Sequence, residues 1–216
     1  MSGELDPARR AALAREVLTA LTAHCPGSHA ELRGSLARGT ADAYSDIDVV
    51  WTVPDDRFEP CVAAAGDVLG TVRGVGSLRT DPDLRHSRAR RLLFVAFDGV
   101  PLFWRLDLEI TARSAAGSPA PAPAGPPEPG PDWSRPASAL ANAVAAVKAV
   151  LRGQPETARG LLERGFARVG AEHPVTGNWA EDITGLADAA AAREAAHGPL
   201  AERVRRLVED HRTDFP

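Results

Sequence analysis

Apolar residues recur at helical spacing near the start of the chain, where Leu13, Val17, Leu18 and Leu21 share one stripe. They predict an amphipathic helix over residues 7–23, with Asp6 as N-cap and Pro7 at the first helical position. Cys25-Pro26-Gly27 closes it. The period then shortens. Residues 30–36 read as a strand running into a Gly-Ser turn, 37–44 as a turn or short helix, and 46–53 as a strand stopped by Pro54. Residues 58–69 read as a helix, 72–79 as a strand, and 81–91 as a polar, basic, solvated loop. Two further strands, 92–97 and 101–110, meet at a hairpin signal, Asp98-Gly99. In the second, Leu102, Trp104, Leu106, Leu108 and Ile110 alternate with Phe103, Arg105, Asp107 and Glu109. Trp51 and Trp104 are expected in the core of neighbouring strands.

The pattern breaks at residues 114–136, where Ala, Gly, Pro and Ser dominate, as in Pro119-Ala120-Pro121-Ala122-Pro123. So much proline suits neither helix nor sheet and predicts an extended linker. Beyond it the period is helical over 137–151, 155–169, 179–197 and 200–211. The expected fold class is α+β: a mixed-sheet domain over 1–113, a linker over 114–136, and an all-helical bundle over 137–216. Trp133 and Trp179 are assigned to linker or core packing, with the lining of an acceptor cleft as the alternative.

Composition narrows the options. With 216 residues, 44% hydrophobic and 25% charged, the chain reads as an ordinary soluble protein. A net charge of -4 argues against a general nucleic-acid binder. No signal-peptide pattern or membrane-length apolar run is seen, so a cytoplasmic location is expected. Cys25 and Cys61 form no disulfide framework and read as buried thiols. His24, His29, His86 and His197 show no ligand spacing. Arginine is abundant and Lys148 is the sole lysine. Two Arg-x4-His spacings, Arg168–His173 and Arg206–His211, are not far above what chance gives in so arginine-rich a chain.

Chemistry concentrates in residues 34–48. A Gly34-Ser35 turn is followed by Arg38, and ten residues separate Ser35 from Asp46-Ile47-Asp48, which opens the apolar run Val49-Val50-Trp51. On a strand Asp46 and Asp48 share one face. Two adjacent carboxylates repel, and hard divalent cations relieve that repulsion. Turn amides and the Ser35 hydroxyl suit a phosphate, and the Arg38 guanidinium matches its oxygens. Asp107 offers a third carboxylate from a later strand, with Glu109 on the same face as the alternative. Arg105, also on that face, is placed to pair with Asp107 or to balance charge. Arg85, Arg88, Arg90 and Arg91 form a basic run assigned to a solvated loop, with contact to phosphate or to an acidic partner as the alternative.

Gly34-Ser35-Leu36-Ala37-Arg38-Gly39, Asp46-Ile47-Asp48 and Arg105-Leu106-Asp107-Leu108 together resemble the polymerase-beta-like nucleotidyltransferase superfamily, above all its minimal and antibiotic-modifying members. The resemblance covers the first half of the chain. It implies a nucleotidyltransferase that moves a nucleoside monophosphate to a hydroxyl, with AMP from ATP favoured and another NTP as the alternative. It further implies two Mg²⁺ ions held by Asp46, Asp48 and Asp107, and phosphates held by Gly34, Ser35 and Arg38. Relatives with a helical second half implicate a lysine there, which maps onto Lys148; a surface lysine is the alternative. Where such relatives carry a glutamate base one turn earlier, this chain has Val144.

The acceptor stays open. A small molecule such as an aminoglycoside-type antibiotic is favoured by the helical half. The alternatives are a partner protein modified by an antitoxin-like enzyme, and a non-catalytic nucleotide-binding protein. Homodimerisation is left open.

Overall fold

The computed structural model describes residues 5–118 and 134–216. The chain divides into two compact units, residues 1–133 and 134–216. The expected linker falls largely on 119–133, which lie outside the described residues, as does Trp133.

In the first unit, helix α1 spans Pro7–His24. Asp6 caps it, accepting from the Ala8 amide at 2.9 Å. Strand β1 spans His29–Leu32, and helix α2, Gly34–Arg38, follows at once. Strand β2 is Ile47–Val53, helix α3 Phe58–Gly70, β3 Val75–Thr80, β4 Arg90–Phe97 and β5 Leu106–Ala112. The five strands form one mixed sheet in the order β1-β2-β5-β4-β3. β2 and β5 run parallel; the other neighbours are antiparallel.

Period-two alternation gives this sheet two unlike faces. Ile47, Val49, Trp51 and Val53 from β2 are buried with Leu106, Leu108 and Ile110 from β5. α1 and α3 cover that side: the His24 ring meets Trp51 edge-on at 6.2 Å, and Trp51 Nε1 donates to Ser28 Oγ at 2.9 Å. The intervening positions, Asp48, Val50 and Thr52 beside Asp107, Glu109 and Thr111, define the opposite, polar face.

Several expectations need correcting. Residues 33–36 are not strand. β1 stops at Leu32, and Gly34 starts a helix whose single turn and a half is too short for periodicity to reveal. Asp46 precedes β2 rather than belonging to it. Residues 102–104 form a 3-10 turn, so β4 and β5 are joined by a wide connection and not a tight hairpin, and Trp104 is buried from that turn.

The basic run also divides. Arg90 and Arg91 are strand residues and are buried. Arg91 donates to Glu59 at 3.2 Å and to the carbonyls of Leu84 and Ser87, and lies over the Phe58 ring. Arg90 pairs with Glu109 at 3.4 Å and donates to the carbonyls of Ala115 and Ser118. A guanidinium with five donors can satisfy several loop carbonyls at once, which makes these burials tolerable.

The second unit is helical: α4 Arg135–Leu151, α5 Pro155–Val169, α6 Trp179–Arg193 and α7 Gly198–Asp210. Ser134 caps α4, so the helix begins at Arg135, two residues before its expected start at 137. Its core joins Leu140, Ala143, Val147, Leu162, Phe166, Ile183, Leu186 and Val204. Gly165 lies so close to Leu186 that a Cβ would sit 2.4 Å from Cδ2. Trp179 is core, as expected. Arg168 donates to Ser138 Oγ at 2.5 Å and Asn142 Oδ1 at 3.2 Å, which ties α5 to α4. Among the described residues no helix is long and apolar enough to cross a membrane.

Candidate active site

The parallel pairing of β2 with β5 sets Asp48 directly opposite Asp107. Paired residues on neighbouring strands lie about 4.8 Å apart and project to the same side, so both carboxylates stand on the polar face. Glu109 is paired instead with Val50. Its carboxylate is engaged by Arg90 at 3.4 Å and by the Thr111 hydroxyl at 3.0 Å. Of the two acidic residues on β5, Asp107 is therefore the one beside Asp48.

Gly34 closes the site from above. It adopts φ +59°, and a Cβ there would fall 2.1 Å from Asp48 Oδ2. Only glycine permits both that backbone conformation and that approach. The Arg33 amide donates to the Asp48 carbonyl at 2.8 Å, which locks the entry to α2 onto β2. A helix leaves its first amides without intrahelical acceptors, and here these belong to residues 34–36. Ser35 is half-buried beside them, while Arg38 is exposed on the last position of α2 before the left-handed cap Gly39.

Asp46 arrives on a braced loop. Within it, Asp42 Oδ1 accepts from the Tyr44 amide at 3.0 Å and from Ser45 Oγ at 2.8 Å. Arg10 reaches over from α1 and donates to the carbonyls of Asp42 at 2.6 Å and Ser45 at 3.1 Å. Trp104 Nε1 donates to the Ala43 carbonyl at 3.2 Å. Burial lowers the pKa of Arg10, opposed by the charges of Asp42 and Asp46. Arg10 escaped the sequence reading because it occupies the apolar stripe of α1. Its i+3/i+4 spacing to Leu13 and Ala14 was the available signal.

Arg105 stands among the carboxylates. Its Nε and Nη2 donate to the two oxygens of Asp107 at 2.6 and 2.7 Å, and its guanidinium lies 5.0 Å from the Phe94 ring centre. Phe94 is registered with Asp107 on the same face. Burial alone would lower the pKa of Arg105. The hydrogen bonds and charge of Asp107, with the charges of Asp46 and Asp48, outweigh it and raise the value. The expected pairing of Arg105 with Asp107 is thus present.

Among the described residues no three Asp, Glu, His or Cys side chains close around one point as metal ligands. Asp107 points its oxygens at Arg105. The donor set is nevertheless all carboxylate oxygen, which suits a hard divalent ion, and Arg105 registers the field of all three groups.

Lys148 lies in the second unit on α4 and is buried, so it is not the surface lysine that was the alternative reading.

Residues 14–90 match the family model described as a nucleotidyltransferase domain. The match includes Gly34, Ser35, Arg38, Asp46 and Asp48, and stops before Asp107. No curated protein matches the chain significantly. Among solved structures, one titled "structure of GLD-2/RNP-8 complex" is similar over 83% of this chain and 75% of that one, with 15% identity and a TM-score of 0.36.

Proposed function

We propose, for a chain that carries a nucleotidyltransferase domain of the polymerase-beta-like superfamily, that the polar face of its sheet transfers AMP from ATP to the hydroxyl of a small molecule. The observation that carries this reading is the registration of Asp48 with Asp107 beneath the close approach of Gly34.

Mg²⁺ held by Asp46 and Asp48, with a second ion shared with Asp107, would polarise the phosphoryl oxygens and stabilise the charge that develops on them. The chain's own residues do the rest. The first amides of α2 and the Ser35 hydroxyl bind phosphate oxygens, because a helix start presents unpaired donors and a favourable dipole. Arg38, exposed on the same helix, adds a fork-shaped donor for the terminal phosphates. In this reading Asp107 would help take the proton of the incoming hydroxyl as its oxygen attacks the α-phosphorus, with pyrophosphate leaving. Arg105 balances the carboxylates and orients Asp107 through two parallel hydrogen bonds. Lys148 is assigned to the triphosphate.

Incubation of the protein with ATP, Mg²⁺ and a panel of hydroxyl compounds and co-purifying proteins, followed by mass spectrometry, tests this. A gain of one AMP on a small molecule supports it. A gain on a protein supports the antitoxin-like alternative, and no ATP binding supports neither.

A further inference from the structure

Strand β4 sends Leu93, Val95 and Phe97 into the core and turns Phe94, half-buried, to the opposite face. Register fixes what stands beside that ring. Phe94 is paired with Asp107 on one side and with Arg79 on the other, and Asp107 is paired in turn with Asp48. One row therefore crosses the polar face in the order Asp48, Asp107, Phe94, Arg79. Adjacent strands lie about 4.8 Å apart, so Asp107 has a carboxylate and a benzene ring as its two lateral neighbours.

The Arg105 guanidinium has two places it could occupy in this row. Asp107 holds it by hydrogen bonds, and Asp46 and Asp48 act on it through charge. An arginine has a long, flexible stem. A guanidinium lying between Asp48 and Asp107 would pair with both and take the position that a divalent cation needs. The ring offers the other place, because the negative face of an aromatic attracts a guanidinium, most strongly where water is scarce. The Arg105 guanidinium carbon lies over the Phe94 ring, 5.0 Å from its centre. That of Arg79 lies over the same ring at 5.4 Å and braces it from β3. Because β5 runs between β2 and β4, Phe94 is on the far side of Asp107 from Asp48. Contact with the ring therefore draws Arg105 toward β4 while its two bonds to Asp107 are kept.

We infer that Phe94 is a positioning residue: it holds the Arg105 guanidinium on the β4 side of Asp107 and so keeps this internal cation out of the space between Asp48 and Asp107 that a divalent ion takes. The inference rests on the nucleotidyl-transfer reading above and adds to it a residue that acts only through Arg105.

The test titrates the whole protein with Mn²⁺, alone and in the presence of ATP, and follows the free ion by electron paramagnetic resonance, with a thermal melt of each variant. Phe94→Leu is expected to weaken Mn²⁺ binding about tenfold, while Phe94→Tyr, which keeps the ring, binds within about twofold of wild type. Phe94→Met keeps the bulk without the ring and carries the same expectation as Phe94→Leu should that variant not fold. A cycle with Arg105→Gln separates positioning from packing. With no guanidinium to fall between the carboxylates, Phe94→Leu in that background is expected to change Mn²⁺ affinity by less than about twofold. Wild-type affinity in the folded ring-less variants, or an equal loss with and without the Arg105 guanidinium, overturns the inference. A wild-type protein that binds Mn²⁺ neither alone nor with ATP overturns the transfer reading beneath it.

Discussion

Asp48 and Asp107 stand opposite each other on adjacent parallel strands, although 58 residues separate them in the chain. Parallel pairing requires a long crossover, and here α3, β3 and β4 occupy it. The site is therefore a product of topology: β5 inserts between β2 and β4 and delivers its carboxylate to the start of β2.

Gly34 is the tightest point of this arrangement. Gly34→Ala would place a methyl 2.1 Å from Asp48 Oδ2 at a φ of +59°. The expected loss is roughly 1–3 kcal/mol of stability, read from urea midpoints. Turnover should fall at least about a hundredfold, since displacing Asp48 misaligns the reacting groups. Arg38→Ala, exposed on the same helix, should leave stability unchanged and raise KM for ATP.

Arg10 holds the loop that carries Asp46. Arg10→Ala leaves the carbonyls of Asp42 and Ser45 without that donor and opens a gap beside Trp104. A destabilisation of roughly 2–4 kcal/mol is expected by denaturant titration. At a temperature where the variant is folded, kcat should fall further than ATP affinity. Equal activity of the folded variant and wild type would show that the loop is held without it.

How much of this was legible beforehand depends on the range of the interaction. Alternation of side chains put Asp107 and Glu109 on one face and identified the core of β2 and β5 correctly, because period two is a local property. Choosing between Asp107 and Glu109 needed the register of two strands far apart in sequence, which no local period encodes. Arg90 and Arg91 were misread for a related reason. A charged run reads as solvated unless the carboxylates and carbonyls that bury it are known, and Glu59, Glu109 and Ser118 come from three different segments. The helix at Gly34 was missed because five residues cannot display a helical repeat.

The buried thiols give a pH prediction. Burial, with the hydrogen bond that the thiol donates to Cys25, pushes the Cys61 thiol up to about 12. An unfolded cysteine ionises near about 8.5. Above that pH the unfolded chain releases its proton while the folded chain keeps it, so stability is complete below about pH 8.5 and is lost as pH rises toward the folded value. The loss approaches about 1.4 kcal/mol per pH unit for one such group. Urea midpoints at pH 8 and pH 10 should fall more steeply in the wild type than in Cys61→Val. Native Cys61 should also resist alkylation at pH 8.

Lys148 is buried on α4, and its assignment to the triphosphate predicts a selective defect. Lys148→Ala should weaken ATP binding about tenfold or more by calorimetry, with Lys148→Arg less affected. Unchanged ATP affinity would make its role structural within the helical unit.

The central claim is that Asp48 and Asp107 act together on a bound nucleotide. Its most direct test is the rate of AMP transfer from ATP·Mg²⁺ in Asp48→Asn, Asp107→Asn and the double variant, alongside their thermal melts. The account predicts that each single variant loses at least about a thousandfold in rate, that the double loses little more because the two work as one unit, and that all three remain folded. Transfer at the wild-type rate in either folded single variant would contradict it.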